Sequence, residues 1–180
     1  AELSRPVLSW DTIANPSLMV PRTGGCAAYV EDTQSIYLMG GRSDPDPSLS
    51  GDEETTRSVE KFTLESTAWE SVDSSMPVDQ MYFDCAAIGS VIYSVGDYHP
   101  YATPEVRAEG LLQIYNASND TWYEGATMPG NTGVGLSGVE DLGGFIYSSG
   151  GVSRKDRSDT VSYTHLRAHE TLRNLVCRLL

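Results

Sequence analysis

Positive charge is scarce in this chain: 12 Lys and Arg stand against 25 Asp and Glu, a net charge of −13 at pH 7. Nucleic acid and anionic membranes are both gripped through basic patches, so this balance argues against either as a nonspecific partner. Long apolar runs are missing too, and nothing in the sequence has the roughly 18 apolar residues of a membrane-spanning helix. Histidine is rare, and His99 is the only one before residue 161. A Ser-His-acid or Cys-His group would have to be built on that one imidazole, and no G-x-S-x-G element accompanies it. The expectation is that the chain holds no catalytic, cofactor-binding or metal-ligating residue. Cysteine is sparse as well. Cys26 and Cys85 are each followed by Ala-Ala in what reads as the first strand of a unit, and equivalent places in neighbouring units favour two small buried thiols over a disulfide.

What the chain does contain is a repeat. Phe62 is followed seven residues later by Trp69, and Tyr115 seven residues later by Trp122. Upstream lie Ile36-Tyr37-Leu38-Met39-Gly40-Gly41, then Ile92-Tyr93-Ser94-Val95-Gly96-Asp97, then Ile146-Tyr147-Ser148-Ser149-Gly150-Gly151. Ile36 to Ile92 is 56 residues, Ile92 to Ile146 is 54, and Trp69 to Trp122 is 53. Each unit holds four short apolar or aromatic runs divided by Gly, Pro, Asp and Ser, the pattern of four strands with turns. Four strands repeated at this period predict a propeller blade. The large aromatics Tyr37, Trp69, Tyr93, Trp122 and Tyr147 are expected between blades, and Gly40-Gly41 at a sharp turn or a close backbone approach. In the second copy Asp97 replaces a glycine, a residue that tolerates left-handed dihedrals.

Glycine doublet, aromatic and spaced Trp together resemble the kelch repeat, with Gly40, Gly41, Phe62, Trp69, Gly96, Tyr115, Trp122, Gly150 and Gly151 as its structural positions. The fold class this implies is all-β: an incomplete kelch-type propeller with two complete four-stranded blades and parts of two more. The blades are placed at 22–75 and 76–127, with the end of another at 1–21 and a truncated one at 128–160. The expectation is a fragment interrupted at both ends, marginal or aggregation-prone alone because its terminal blade faces are uncovered.

Val161 to Leu180 share nothing with the blades. They resemble the in-frame translation of a transposase-type sequencing-library adapter, whose constant part encodes Val161 through Glu170 and resumes through Leu175 to Leu180. Asn174 is one of the four residues that the reading frame allows at the junction. Read as a non-native tail, 161–180 leaves the fold and function reasoning. Its three Arg against one Glu then leave the other 160 residues at −15.

The acidic loop Ser43–Arg57 misses the spacing of a calcium loop and reads as solvated. Its counterpart, Gly96–Gly110, carries Tyr98, His99, Tyr101 and Arg107, the aromatic and cationic types that anchor interfaces, and these four are the candidate partner contacts. Asn116-Ala117-Ser118 and Asn119-Asp120-Thr121 fit the N-glycosylation pattern, although a turn rich in Asn, Ser and Asp explains them as well and is preferred. By the resemblance, the function is that of a noncatalytic protein-binding module or adaptor using its blade loops. Its other partners are the missing blades of the same chain. The alternative is part of a secreted kelch enzyme acting on a sugar, as an oxidase or epimerase.

Overall fold

The computed structural model describes residues 17–43, 54–97, 111–126 and 138–149, with the backbone of short strands at 134–135, 152–153, 166–169 and 178–179. In chain order the strands are β1 (Cys26–Val30), β2 (Ser35–Met39), β3 (Arg42–Ser43), β4 (Glu54–Thr55), β5 (Val59–Thr63), β6 (Glu70–Ser71), β7 (Asp84–Ile88) and β8 (Val91–Val95). Then come β9 (Leu112–Asn116), β10 (Thr121–Glu124), β11 (Val134–Gly135), β12 (Gly138–Asp141), β13 (Phe145–Ser149), β14 (Val152–Ser153), β15 (Leu166–His169) and β16 (Arg178–Leu179). Among the described residues the only helical turn is a 3₁₀ turn at Glu31–Thr33.

Two antiparallel four-stranded meanders, β1-β2-β5-β6 and β7-β8-β9-β10, are the two complete blades. Alternation explains how β1 and β2 are used, whereas β8 and β9, packed on both faces, are buried at nearly every position. Cys26, Ala28 and Val30 are buried while Ala27 and Tyr29 are exposed, as expected of a sheet with two distinct faces. One face of the first blade, with Cys26, Ala28, Val30, Tyr37, Met39 and Val59, packs on Cys85, Ile92 and Tyr115 of the second. The second blade's other face, with Tyr93, Val95, Leu112 and Ile114, packs on Val139 and Ile146. Each fully buried aliphatic or aromatic side chain in these layers contributes about 1.5–3 kcal/mol. β7 lies between β1 and β12, so the first strands of successive blades run side by side.

The seven-residue aromatic spacing follows from the hairpin register. Tyr115 pairs directly with Trp122 across β9 and β10, with ring centroids 4.9 Å apart, and Phe62 and Trp69, one step beyond the Lys61–Glu70 pair of β5 and β6, have rings 5.5 Å apart. Tyr37 reaches across the blade interface to Tyr115, with centroids 5.7 Å apart. Tyr93 is buried in the next interface, while Trp69 and Tyr147 are half-buried.

The third sheet runs β12-β13-β15-β16, so segments of 161–180 supply two strands in a region that the sequence reading leaves outside the propeller. Only two residue pairs join β15 to β13, Phe145 with His169 and Ile146 with Ala168. The open edge of β13 offers backbone groups that any extended segment can pair with, whatever its side chains.

Register also corrects the reading of the cysteines. Met39 pairs with Cys26 and the equivalent Val95 with Asp84, so Cys85 sits one position beyond the counterpart of Cys26. A one-residue offset turns a side chain to the opposite face. Cys26 therefore faces the second blade and Cys85 faces the first, and the two form a disulfide with Cα atoms 5.9 Å apart. The Ala-Ala that follows each cysteine hides this offset, since matching the two Cys-Ala-Ala strings sets Cys26 against Cys85 where the pairing sets it against Asp84.

Candidate interaction surface

The strands of each blade alternate in direction, so the β2–β5 and β8–β9 connections leave from the same end of the two blades. The other end carries the short turns after β1, β7 and β9. Tyr98, His99, Tyr101 and Arg107 lie outside the described residues, as do Gly150 and Gly151. What the structure shows is how the roots of the loops are held.

Glycine is required at the first root. Gly40 and Gly41 have φ of +61° and +90°, and a Cβ on Gly41 would lie 2.7 Å from both Gly25 N and Thr23 O. Gly96, at the second root, has φ +96°. Asp97 departs from the expectation for it: it is not among the residues with positive φ, and its Oδ1 accepts a hydrogen bond from Met81 N at 3.2 Å. Its carboxylate binds the segment entering the second blade, which in the first blade glycine's small size lets approach closely.

That entering segment, Met76–Phe83, is fixed by buried amides. Gln113 Oε1 accepts from Val78 N at 2.9 Å while its Nε2 donates to Val78 O at 2.8 Å. Gln80 Nε2 donates to Gly96 O at 2.6 Å, and Gln80 Oε1 accepts from Ser94 Oγ and Gln113 Nε2, each at 2.8 Å. The first blade fills the corresponding places with charge. Glu60 accepts from Met19 N and Val20 N at 2.7 and 3.1 Å and is ion-paired with Arg22, both side chains being 2% exposed. Arg22 in turn donates to Gly40 O at 3.0 Å, as Gln80 does to Gly96 O. The two blades thus share one latch, ionic in the first and neutral in the second. At the loop foot Asp79 accepts a hydrogen bond from Thr55 Oγ1 and lies 3.8 Å from Arg57.

A second polar junction sits at the opposite end. Asp120 accepts from Tyr115 OH at 3.0 Å, from Ser74 N at 3.2 Å and from Ser74 Oγ, and Trp122 Nε1 donates to Ser74 Oγ at 3.1 Å. Burial works to raise the Asp120 carboxyl, but the hydrogen bonds from Ser74 and Tyr115, with Lys61 nearby, outweigh it and hold the group below its usual range. Burial, then the bond to Asp120 and its charge, push the Tyr115 hydroxyl well above the ordinary tyrosine value. Glu60, Gln80, Gln113 and Asp120 escaped the sequence reading. The available signal was a polar residue inside an apolar strand, as in Val59-Glu60-Lys61-Phe62 and Leu112-Gln113-Ile114-Tyr115.

Four-stranded blades packed face to face, with first strands side by side, define an incomplete β-propeller. No protein-family model matches the chain. It is similar to the Kelch-like protein terF of Aspergillus terreus, 29% identical over 120 residues, which covers 67% of this chain and 24% of that protein. It is also similar to the Kelch repeat and BTB domain-containing protein 12 of Homo sapiens, 29% identical over 154 residues, which covers 79% of this chain and 24% of that protein. The chain thus spans about a quarter of the length of either relative. The blade architecture and both relatives support a kelch-type repeat for this chain.

Proposed function

We propose that this chain is a noncatalytic binding module, an adaptor surface that meets a protein partner through the loops at the glycine-doublet end of its blades. The observation that carries this reading is the shared latch. Gln80 and Gln113 in one blade, and Arg22 and Glu60 in the other, clamp the loop roots to the entering segments. A rigid root lowers the entropy that a long loop loses on binding. The contacts proposed are Tyr98, His99, Tyr101 and Arg107. The remaining blades of the parent protein would complete the surface, and residues 161–180 are proposed as a non-native tail that contributes nothing to it.

Photo-crosslinking groups placed at positions 98 and 107, with a control at Leu64, test this. Partner peptides are expected from the first two sites, and alanine at Tyr98 or Arg107 should weaken the captured complex by about tenfold or more, as hot-spot residues do. Crosslinks confined to position 64 would refute the assignment. The Cys26–Cys85 disulfide supports a second reading, a secreted kelch enzyme acting on a sugar. Peroxide release or epimer formation from free sugars by the parent protein tests that alternative.

A further inference from the structure

Two features lie outside the binding reading and select the same surroundings. The first is the inter-blade disulfide. Cys26 and Cys85 are 4% and 6% exposed, on strands packed side by side. The next interface has Asp84 and Val139 at the corresponding positions, where Asp84 Oδ2 accepts from Val139 N at 2.9 Å. The fold therefore brings this pair of positions together at both interfaces, once through a covalent bond and once through a hydrogen bond. The second feature is the turn between β9 and β10, with its two acceptor patterns. Asn119 is exposed at the tip, and Thr121 Oγ1 donates to its Oδ1 at 2.5 Å. Asn116 is half-buried at the end of β9, paired with Val91 and Thr121.

We infer that Asn119 is an N-glycosylation site and that the chain matures in an oxidising secretory compartment, where the Cys26–Cys85 bond forms. Disulfides persist in such compartments and are rare in the cytosol. The Asn-x-Ser/Thr pattern has chemical meaning only on that same route. In the glycosylation step, Asn119 Nδ2 attacks the anomeric carbon of an oligosaccharide carried on a lipid diphosphate. The new N–C bond replaces the sugar–oxygen bond, the lipid diphosphate leaves with the electron pair, and the amide proton passes to a base of the transferase. In the oxidation step, the two thiols give two protons and two electrons to the disulfide of an oxidoreductase, which leaves as a dithiol. Five residues of β9, about 17 Å, separate this turn from the loop end. A glycan at Asn119 would leave the loop end open.

The test uses protein isolated from the cells that make it. One digest is alkylated without reduction, and the other is treated with an amidase that releases N-glycans in heavy-oxygen water. The expected result is a linked pair of peptides containing Cys26 and Cys85, together with Asn119 converted to heavy-oxygen Asp. Alkylated free thiols at both cysteines, an unmodified Asn119, or a glycan confined to Asn116 would each overturn the inference. Secretion of the full chain from a eukaryotic host gives an independent check. Asn119→Gln should abolish the glycan-dependent mobility shift while Asn116→Gln retains it, and the reverse pattern would overturn the assignment.

Discussion

Exchanging the latch of the first blade for that of the second tests whether the two are one device. In Glu60→Gln one oxygen becomes an NH2 group, so only one of Met19 N and Val20 N keeps an acceptor, and Arg22 is left as a cation that is 2% exposed and has lost its counter-ion. Removing one partner of a buried pair costs about 3–5 kcal/mol, because the other charge remains desolvated. Arg22→Gln strands the carboxylate and should cost a similar amount. The double variant Arg22→Gln with Glu60→Gln restores a neutral amide pair like Gln80–Gln113, which satisfies Val78 N and O, and should lie within about 3 kcal/mol of the parent, the remaining cost being the Met19 N–H that loses its acceptor. Coupling in a double-mutant cycle is then about 3 kcal/mol or more. Urea denaturation supplies the stabilities, and hydrogen exchange at Met19 and Val20 reports the latch locally. Additive effects, or single variants that each cost under about 1 kcal/mol, would refute the equivalence of the two latches.

Gly41→Ala should be far more damaging than Gly89→Ala. Both have positive φ, but an added Cβ meets backbone 2.7 Å away at Gly41 and open space at Gly89. Thermal melts should show about 1–2 kcal/mol for Gly89, the cost of the left-handed conformation, and several kcal/mol for Gly41. Asp120 governs an acid dependence. Its folded value is depressed, so its contribution is complete above the ordinary value of 3.8 and is lost as pH falls through the lower folded value. Asp120→Asn should flatten the stability profile in that window, which urea melts at stepped pH would reveal. Reducing the Cys26–Cys85 bond opens a loop with a sequence separation of 59 residues. That loss should lower stability by about 4 kcal/mol, read as a dithiothreitol-dependent shift in the urea midpoint.

The blades were legible because their signals are local and repeated. The Phe62–Trp69 and Tyr115–Trp122 spacings are hairpin registers, and Gly40-Gly41 marks a turn that admits no Cβ. The disulfide was misread because it depends on a one-residue difference in pairing between β1 and β7, which matching Cys-Ala-Ala strings conceal. The latches were invisible for a related reason. Arg22 and Glu60, or Gln80 and Gln113, have no shared spelling, and only their common geometry makes them counterparts. Asp97 was found but given the wrong role, since its side chain rather than its backbone freedom is what the site uses. Tyr98, His99, Tyr101 and Arg107 stand on the sequence alone.

Joining the starts of the first strands of two neighbouring blades also changes how the chain would carry tension. Cys26 precedes almost the whole first blade and Cys85 begins the second, so a force applied across the two blades passes through the sulfur bridge. The stretch between them is a closed ring, and its hydrogen-bond ladders bear none of the load. About 200 Å of contour length stays locked until the bridge is reduced. A propeller fastened in this way would yield first at its unbridged interface, where Asp84 and Val139 share a single hydrogen bond, so that successive blades of one repeat would differ widely in mechanical strength.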